Sequence, residues 1–393
     1  MANFHPTPPI APFEMIRLTP DLDGQRGSNR AIGNRPQISA TTDLEALNAW
    51  LARYLDSKAT FESYRKEAER LVLWSAVELG KPISSLTHED LAMYQYFLTA
   101  PEPAERWIMH PGRKWSRHAP EWRPFAGPLS PASQRQAIVI LNGLFSWLVN
   151  AGYLAGNPLS LSRQRKQRAK PRITRFLEDD LWQEVKVAIE TMPRESDRER
   201  RHYFRARWLF SLLYICGVRI SEVTQNSMGG FFSRRDRDGT ERWWLEITGK
   251  GDKTRLAPAT NELMVELARF RREFGLAPYP TPEEATPLLL PIGGKSKSLT
   301  RSAVHSIVKG VFEMAADRLA ARGAEFESRA ARVALASAHW LRHTAGSHMS
   351  DDMDLKHVRD NLGHESIATT TKYLHSTDDA RHKETEEKHR LSW

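Results

Sequence analysis

Apolar residues recur at spacings of three and four along most of the chain, and this period predicts a mainly α-helical protein. The first long example begins at Phe61 and stops at Gly80, a residue type that commonly ends helices. Thr87, followed three positions later by Asp90, is typical of a capping box at the start of the next helix. Together these patterns predict an all-helical domain over residues 42–160.

A second domain, residues 176–393, combines helical periods with a short β-like region. Residues 242–248 and 254–258 favour strands, and they flank a glycine-containing turn at 249–253. Residues 231–232 can begin a third strand. We therefore expect a small antiparallel sheet within a mainly helical domain. The helical periods occupy residues 177–191, 203–223, 260–274 and 300–322.

Three further segments lack regular periodicity. Residues 1–41 are rich in Pro, Gly, Asn and Arg, so we expect a flexible arm there, with some order near residues 11–18. In an inserted loop, residues 99–129, tryptophans alternate with basic residues. This pattern favours two interpretations equally: a surface that binds nucleic acid, or a loop whose tryptophans pack against its own domain. Residues 161–175 contain no acidic residue, so we expect a linker that lies along phosphates. Candidate DNA contacts are Arg113, Lys114, Arg117, Arg123, Arg163, Arg165, Lys166, Arg168, Lys170 and Arg172.

The composition favours a polyanionic partner. Lysine and arginine number 57 against 48 acidic residues, which gives a formal net charge of +9. Cys216 is the only cysteine, so an internal disulfide is excluded and a reducing compartment is favoured. No apolar run reaches the roughly 18 residues that a membrane span needs, and the first residues lack the order of a signal peptide. We therefore expect a soluble cytoplasmic protein with no membrane partner.

Tyr373 is a candidate nucleophile for a DNA phosphodiester. A free phenol has a pKa of about 10, whereas a departing sugar alkoxide is nearly as basic as hydroxide. The reaction therefore needs a proton donor for the leaving oxygen and fixed cations for the charge on the phosphate. Arg219 and Arg342 suit the phosphate oxygens, because a guanidinium donates two parallel hydrogen bonds. Lys250 suits the proton donor because its turn joins two strands, and Lys253 in the same turn is the second candidate.

Two histidines complete this set. His339 lies three residues before Arg342, so one helical face presents both if Ser337 caps that helix. His364 directly follows Gly363, where we expect a helix to end in a left-handed turn. Each of these residues alone is typical of an ordinary structural position. The prediction of a shared site depends on their order and spacing.

In this order and spacing, the motifs resemble those of the tyrosine recombinase, or phage integrase, family. The resemblance extends over about residues 42–376 and includes the nine-residue step between the last histidine and the tyrosine. The motifs are Gly217-Val-Arg219-Ile-Ser-Glu222, Gly249-Lys250-Gly, Ala338-His339-Trp-Leu-Arg342-His-Thr, and Leu362-Gly363-His364 followed by Tyr373.

The resemblance implies a two-domain, C-shaped clamp around duplex DNA, with a helical, SAM-like core-binding domain and a mixed α/β catalytic domain. It implies site-specific cleavage and rejoining of DNA through a 3′-phosphotyrosyl intermediate, either to integrate or excise a mobile element or to resolve dimers. It implies no cofactor and no metal, because the phosphotyrosine stores the bond energy. The implied partners are duplex DNA with a specific recombination site, a homotetramer in the synapse and accessory proteins, at the nucleoid of a prokaryotic host.

The resemblance also implies a role for each residue of the set. Two departures from a minimal family member, the long loop at 99–129 and the charged segment at 231–240, leave recognition of the target site open. The implied roles are nucleophile for Tyr373, general acid for Lys250, phosphate clamp for Arg219 and Arg342, base for His339, hydrogen-bond donor for His364, and orientation of the first arginine for Glu222.

Three alternatives use parts of the same sequence. A type IB topoisomerase-like nicking and closing enzyme would use the same residues as a monomer, but the separate helical domain argues against it. A zinc hydrolase would use His339, His343 and His348, but Trp340 stands where a metalloprotease has its glutamate. A DNA-binding protein that has lost catalysis is expected to lack the tyrosine or an arginine, and all are present.

Overall fold

In the computed structural model, the described residues are 10–31, 33, 37–110, 112, 115–162, 175–293, 297–364 and 370, without the side chains of Lys250 and Asp352. They belong to two compact units, Met1–Gln167 and Arg168–Trp393. The division falls within the linker that the sequence predicts at 161–175. Most of that linker, from 163 to 174, lies outside the described residues.

The first unit is helical and is built around a core that includes Trp50 and Phe145. The side-chain oxygen of Thr87 accepts from the backbone N–H of Asp90, and the Asp90 carboxylate accepts from the backbone N–H of Thr87, which confirms the predicted capping box. Gly80 adopts a left-handed φ of 61° at the end of the first long helical stretch, as expected. The helices are α1 (Asp43–Ala52), α2 (Lys58–Trp74), α3 (His88–Phe97), α4 (Ala104–Trp107) and α5 (Pro131–Asn150).

Residues 10–31 pack along the first unit, so the ordered part extends beyond the residues near 11–18 that were expected to be ordered within the flexible arm of residues 1–41. Ile16 is 2% exposed and belongs to the core. The backbone N–H of Asn29 donates to the carbonyl of Ser84 over 2.8 Å. This irregular segment contacts the unit through isolated apolar residues and backbone hydrogen bonds. Neither kind of contact produces a periodic pattern of apolar residues in the sequence.

The inserted loop at 99–129 folds back onto its own unit. Trp107 is fully buried and Trp122 is 8% exposed. The indole N–H of Trp107 donates to a carboxylate oxygen of Glu78 over 2.9 Å. The sequence left open whether the tryptophans of this loop bind nucleic acid or pack within the unit. These two tryptophans pack within the unit.

The second unit combines eight helices with a three-stranded antiparallel sheet in its described part, which confirms the predicted fold class. The strands are β1 (Phe231–Arg235), β2 (Glu241–Thr248) and β3 (Thr254–Ala259), in the order β1-β2-β3. The helical period over 203–223 is divided at Gly217, whose φ of 55° interrupts the helix. The helices are α6 (Asp179–Glu190), α7 (Asp197–Ile215), α8 (Ile220–Gln225), α9 (Asn261–Glu273), α10 (Arg301–Ala320), α11 (Glu327–Ala334), α12 (Ala338–Asp352) and α13 (Leu355–Leu362).

The core of the second unit joins the sheet to the surrounding helices. Trp208 and Phe210 from α7 and Phe312 from α10 are all buried within it. Cys216 is 1% exposed, and burial raises the pKa of its thiol to about 12, so it packs as a small apolar residue. In the part of the chain that the structure describes, no helix has the length and apolar character needed to cross a membrane.

Candidate active site

Glu222 is the buried centre of a charged group at the start of α8. Arg219 precedes the helix, and its backbone N–H and its Nη1 donate to the two carboxylate oxygens of Glu222 over 2.9 and 2.7 Å. From β3, Nη2 of Arg255 donates to the same carboxylate over 3.1 Å. The side chains of Glu222, Arg255 and Arg219 are 3%, 12% and 45% exposed. The carboxylate therefore holds one buried and one half-exposed guanidinium at the same time.

Arg342 connects two distant segments of the same unit. It lies on α12 and is 2% exposed. Its Nη1 donates to the carbonyl of Gly217 and its Nη2 donates to the carbonyl of Leu362. Gly217 has a left-handed φ of 55°, which is strained for other residues, and a Cβ there would displace the side chain of Leu362. One guanidinium thus joins the segment before Arg219 to the end of α13.

His364 follows α13, which ends as predicted in a left-handed glycine, Gly363, with φ of 63°. The backbone N–H of His364 donates to the carbonyl of Arg359 over 3.0 Å and completes the helix end. Its Nδ1 lies 3.1 Å from Oγ1 of Thr370, a fully buried residue. This contact orients the imidazole, and it connects His364 to a position three residues before Tyr373.

His339 and His343 face each other on α12, with ring centroids 4.2 Å apart and an interplanar angle of 71°. Desolvation and the nearby charges of His339, Arg342 and His364 lower the pKa of His343 to about 4. His339 is more exposed, and partial desolvation with the charges of Arg342 and Arg219 lowers its pKa as well. Both imidazoles are therefore neutral at pH 7. The two imidazoles are therefore neighbours of the charged groups of Arg219, Arg342 and His364.

The turn between β2 and β3 is anchored to α8 by Asn226. Its Oδ1 accepts from the backbone N–H of Thr248, and its Nδ2 donates to the carbonyls of Thr248 and Glu222, each over 2.9 Å. Strand β1 pairs with β2 only as far as Leu245, so the Asn226 amide takes the place of a neighbouring strand at Thr248. The backbone then turns sharply between Lys250 and Asp252, where Gly251 has a left-handed φ of 72°.

Several residues of the predicted sites lie outside the described residues. Tyr373 is one of them, and so is the side chain of Lys250. Their roles stay predictions. Among the candidate DNA contacts, the same holds for Arg113, Lys114, Arg163, Arg165, Lys166, Arg168, Lys170 and Arg172.

The other two candidate DNA contacts have partners within the first unit. Nη1 of Arg117 donates to Glu69 over 3.1 Å and its Nη2 donates to Glu14 over 2.9 Å. Arg123 donates to the backbone carbonyls of Pro120 and Trp122 over 2.9 and 2.8 Å. These contacts stabilise the loop and supply a structural reason for both arginines. A role in DNA binding stays a prediction.

Within the described residues, no three side chains of His, Cys, Asp or Glu are arranged to hold a metal ion. His348, which the zinc hydrolase alternative requires, instead lies with Nδ1 2.9 Å from the Tyr214 hydroxyl and Nε2 3.2 Å from the carbonyl of Leu177. Its two ring nitrogens thus have partners within the fold.

Comparison with known families decides the class of the protein. A family model described as the phage integrase family matches residues 183–380, half of the chain and the whole predicted catalytic set. The chain belongs to the phage integrase family. The resemblance drawn from the motifs is thereby confirmed. The class of activity is confirmed with it, because members of this family are tyrosine recombinases, enzymes that break and rejoin DNA.

Individual relatives of this recombinase extend the similarity to most of its length. Tyrosine recombinase XerC of Xanthomonas campestris pv. campestris is 24% identical over 366 residues, which cover 92% of each chain. Tyrosine recombinase XerD of Brucella abortus is 28% identical over 265 residues, which cover 67% of this chain and 78% of the relative.

Solved structures share the fold of the recombinase. The XerH site-specific recombinase bound to a palindromic difH substrate, a post-cleavage complex, aligns with a TM-score of 0.60 at 17% identity, covering 96% of this chain and 99% of that one. The Tn1549 transposon integrase in complex with transposon right end DNA aligns with a TM-score of 0.55 at 16% identity, covering 88% and 99%.

Proposed function

We propose that this recombinase cleaves DNA with Tyr373 and stabilises the reacting phosphate with Arg219 and Arg342. The phenolic oxygen of Tyr373 forms a bond to phosphorus while the bond to the 5′ oxygen breaks. One strand keeps a 3′-phosphotyrosyl ester, and the departing 5′ oxygen takes a proton from Lys250. A 5′-hydroxyl then attacks the ester in reverse, so each broken phosphodiester is replaced by another and no ATP is consumed.

The anchoring of the two arginines is the observation on which this proposal rests. Arg219 is held by the buried carboxylate of Glu222, and Arg342 holds the backbone on both sides of the site. Both guanidiniums suit the phosphate oxygens, because each is a permanent cation with several N–H donors in one plane. Donors fixed in advance stabilise a developing negative charge most effectively, because they need little rearrangement during the reaction.

The histidines fit the remaining roles. A general base must be unprotonated, and the lowered pKa of His339 keeps its imidazole neutral at pH 7. Because Thr370 contacts Nδ1 of His364, the opposite ring nitrogen is the one that would donate to a phosphate oxygen. We assign His339 as the base for Tyr373 and His364 as a hydrogen-bond donor.

The partner that we propose is duplex DNA with a specific recombination site, bound by a homotetramer at the nucleoid of a prokaryotic host. The XerH and Tn1549 integrase structures contain recombinases bound to DNA, which supports a DNA partner here. The basic linker and loop residues would neutralise phosphates. Each neutralised phosphate adds about −0.9 to the slope of log affinity against log salt.

For the biological task, we propose integration or excision of a mobile element, and the Tn1549 transposon integrase, whose structure is in complex with transposon right end DNA, shares the fold. Dimer resolution is the second candidate, favoured by the similarity to XerC over 92% of both chains. A topoisomerase-like task would show as supercoil relaxation by a monomer without any joining of two sites.

Mapping of covalent protein–DNA joints tests both activity and task. The full chain is incubated with total DNA of its host, quenched with denaturant and digested with protease, and the 3′ ends that carry a peptide are sequenced. Joints at the ends of one element support integration or excision, and joints at one chromosomal site support dimer resolution. No joints above the background of Tyr373→Phe would refute DNA cleavage by this tyrosine.

Three variants test the roles of the tyrosine and the two lysines on the duplex recovered by that mapping. Tyr373→Phe should bind the duplex with unchanged affinity and form no covalent adduct, so an adduct in this variant would show that another residue attacks. Lys250→Ala should cleave slowly and recover when the leaving oxygen is replaced by sulfur, which departs without a proton. If Lys253→Ala shows this behaviour instead, Lys253 is the acid.

A further inference from the structure

We propose that Arg255 is a positioning residue that sets Arg219 and His364 in a fixed relation to each other. The proposal rests on the proposed roles of those two residues. Arg255 lies on β3, five positions after Lys250, and it is not part of the charged set on which the family resemblance was based. Its side chain is 12% exposed, so it faces the interior of the unit more than it faces solvent.

One end of the Arg255 guanidinium acts through Glu222. Its Nη2 donates to Oε2 of Glu222 over 3.1 Å, and the other carboxylate oxygen accepts from Nη1 of Arg219 over 2.7 Å. A carboxylate whose two oxygens are both held by donors has little freedom to rotate. Arg255 therefore limits the directions in which Glu222 can hold Arg219.

The other end of the side chain acts on the helix that precedes His364. Nε of Arg255 donates over 3.2 Å to the carbonyl of Asn361, in the last turn of α13. Gly363, immediately before His364, has no Cβ, and a Cβ there would overlap the Cδ atom of Arg255. The left-handed glycine thus ends the helix and also makes room for the arginine.

The two contacts use different nitrogens of one planar group, so they cannot vary independently. A shift of α13 moves Nε, and because the guanidinium is rigid it also moves the atom that holds Glu222. Lysine has a single nitrogen and cannot reproduce both contacts. Alanine reproduces neither, and it leaves the buried carboxylate with only Arg219.

The test measures the rate of covalent adduct formation at saturating concentrations of the recovered duplex, together with the dissociation constant. Misplacement of catalytic groups by about 1 Å costs roughly 100-fold in rate, so we expect a loss of that order for Arg255→Ala with little change in affinity. Arg255→Lys should lie between Arg255→Ala and the unsubstituted chain. An Arg255→Ala variant that cleaves at the original rate would overturn the proposal.

Arg271 supplies a matched control. It is 2% exposed, and it likewise holds a carboxylate, that of Glu284, and a backbone carbonyl, that of Ala277. Arg271→Lys should lower the melting temperature about as much as Arg255→Lys does, and it should cleave at the original rate. If the two lysine variants slow cleavage equally, Arg255 has only a general structural role.

A double variant separates action through Glu222 from an independent effect. If Arg255 acts through that carboxylate, Arg255→Ala combined with Glu222→Gln slows cleavage little more than the slower single variant does. If the loss of rate in the double variant equals the product of the losses in the two single variants, the proposed coupling is contradicted. If even the unsubstituted chain and Arg271→Lys form no adduct, it is the proposed function that fails.

Discussion

Replacement of Glu222 by glutamine tests the centre of the site with almost no change in shape. The carboxylate accepts three hydrogen bonds, from the backbone N–H and Nη1 of Arg219 and from Nη2 of Arg255. The glutamine oxygen can keep the two donors that share Oε2. The amide nitrogen then faces Nη1 of Arg219, where a donor meets a donor, so that contact is lost and Arg219 is released.

The loss of stability follows from the burial of the group. Removing one partner of a buried ion pair costs about 3–5 kcal/mol, because a charge is left without compensation. Arg219 is 45% exposed and can be hydrated, whereas Arg255 is 12% exposed and cannot, so we expect the lower end, about 3 kcal/mol. In a domain of about 150–250 residues each kcal/mol shifts the melting temperature by about 2–4 °C, which predicts a decrease of about 6–12 °C.

Calorimetry and adduct formation on the same samples measure the two effects of this substitution. We expect Glu222→Gln to slow cleavage by roughly 100-fold, because Arg219 loses its orientation. Glu266→Gln is the control, since Glu266 is 7% exposed and is likewise shared by two arginines, Arg207 and Arg269. The control should melt at a similarly reduced temperature and cleave normally. Wild-type cleavage by Glu222→Gln, or equal slowing of both variants, would refute the reasoning.

Substitutions at three further positions test the surroundings of the site. Asn226→Asp places a carboxylate against the carbonyls of Thr248 and Glu222, so adduct formation should slow by about 10-fold or more. An unchanged rate would show that Asn226 does not support the turn at residues 249–253. Thr370→Val removes the hydroxyl that contacts His364, so cleavage should slow while Thr370→Ser stays near the original rate; equal rates would contradict this role. Because the pKa of His343 is lowered from 6.5 to about 4, the unfolded chain binds more protons below pH 6.5, and stability should fall as the pH drops from about 6.5 to about 4. His343→Asn should flatten that part of the stability profile, and an unchanged profile would show that another group causes it.

Features that depend on neighbours in sequence could be predicted from the sequence. The capping box of Thr87 and Asp90 and the left-handed end at Gly363 both close hydrogen bonds within a few residues, so the residue types alone indicate them. The strands on both sides of the turn at 249–253 were likewise indicated by the residue types of short segments. Ser337 marks the limit of this approach. It occupies the N-cap position of α12 as expected, but its side chain makes no capping hydrogen bond.

The order of the catalytic motifs also determined the family, because spacing along the chain is a property of the sequence itself. The contacts that support those motifs were decided only by the tertiary structure. Arg342 meets the carbonyl of Gly217 across 125 positions, and Arg255 meets that of Asn361 across 106. Such contacts depend on which backbone carbonyls the fold brings to a guanidinium, and every residue has a carbonyl, so the sequence contains no signal for them. The full extent of the packing of residues 10–31, beyond the order expected near 11–18, was hidden for the same reason, since isolated apolar residues acquire partners only when the chain folds.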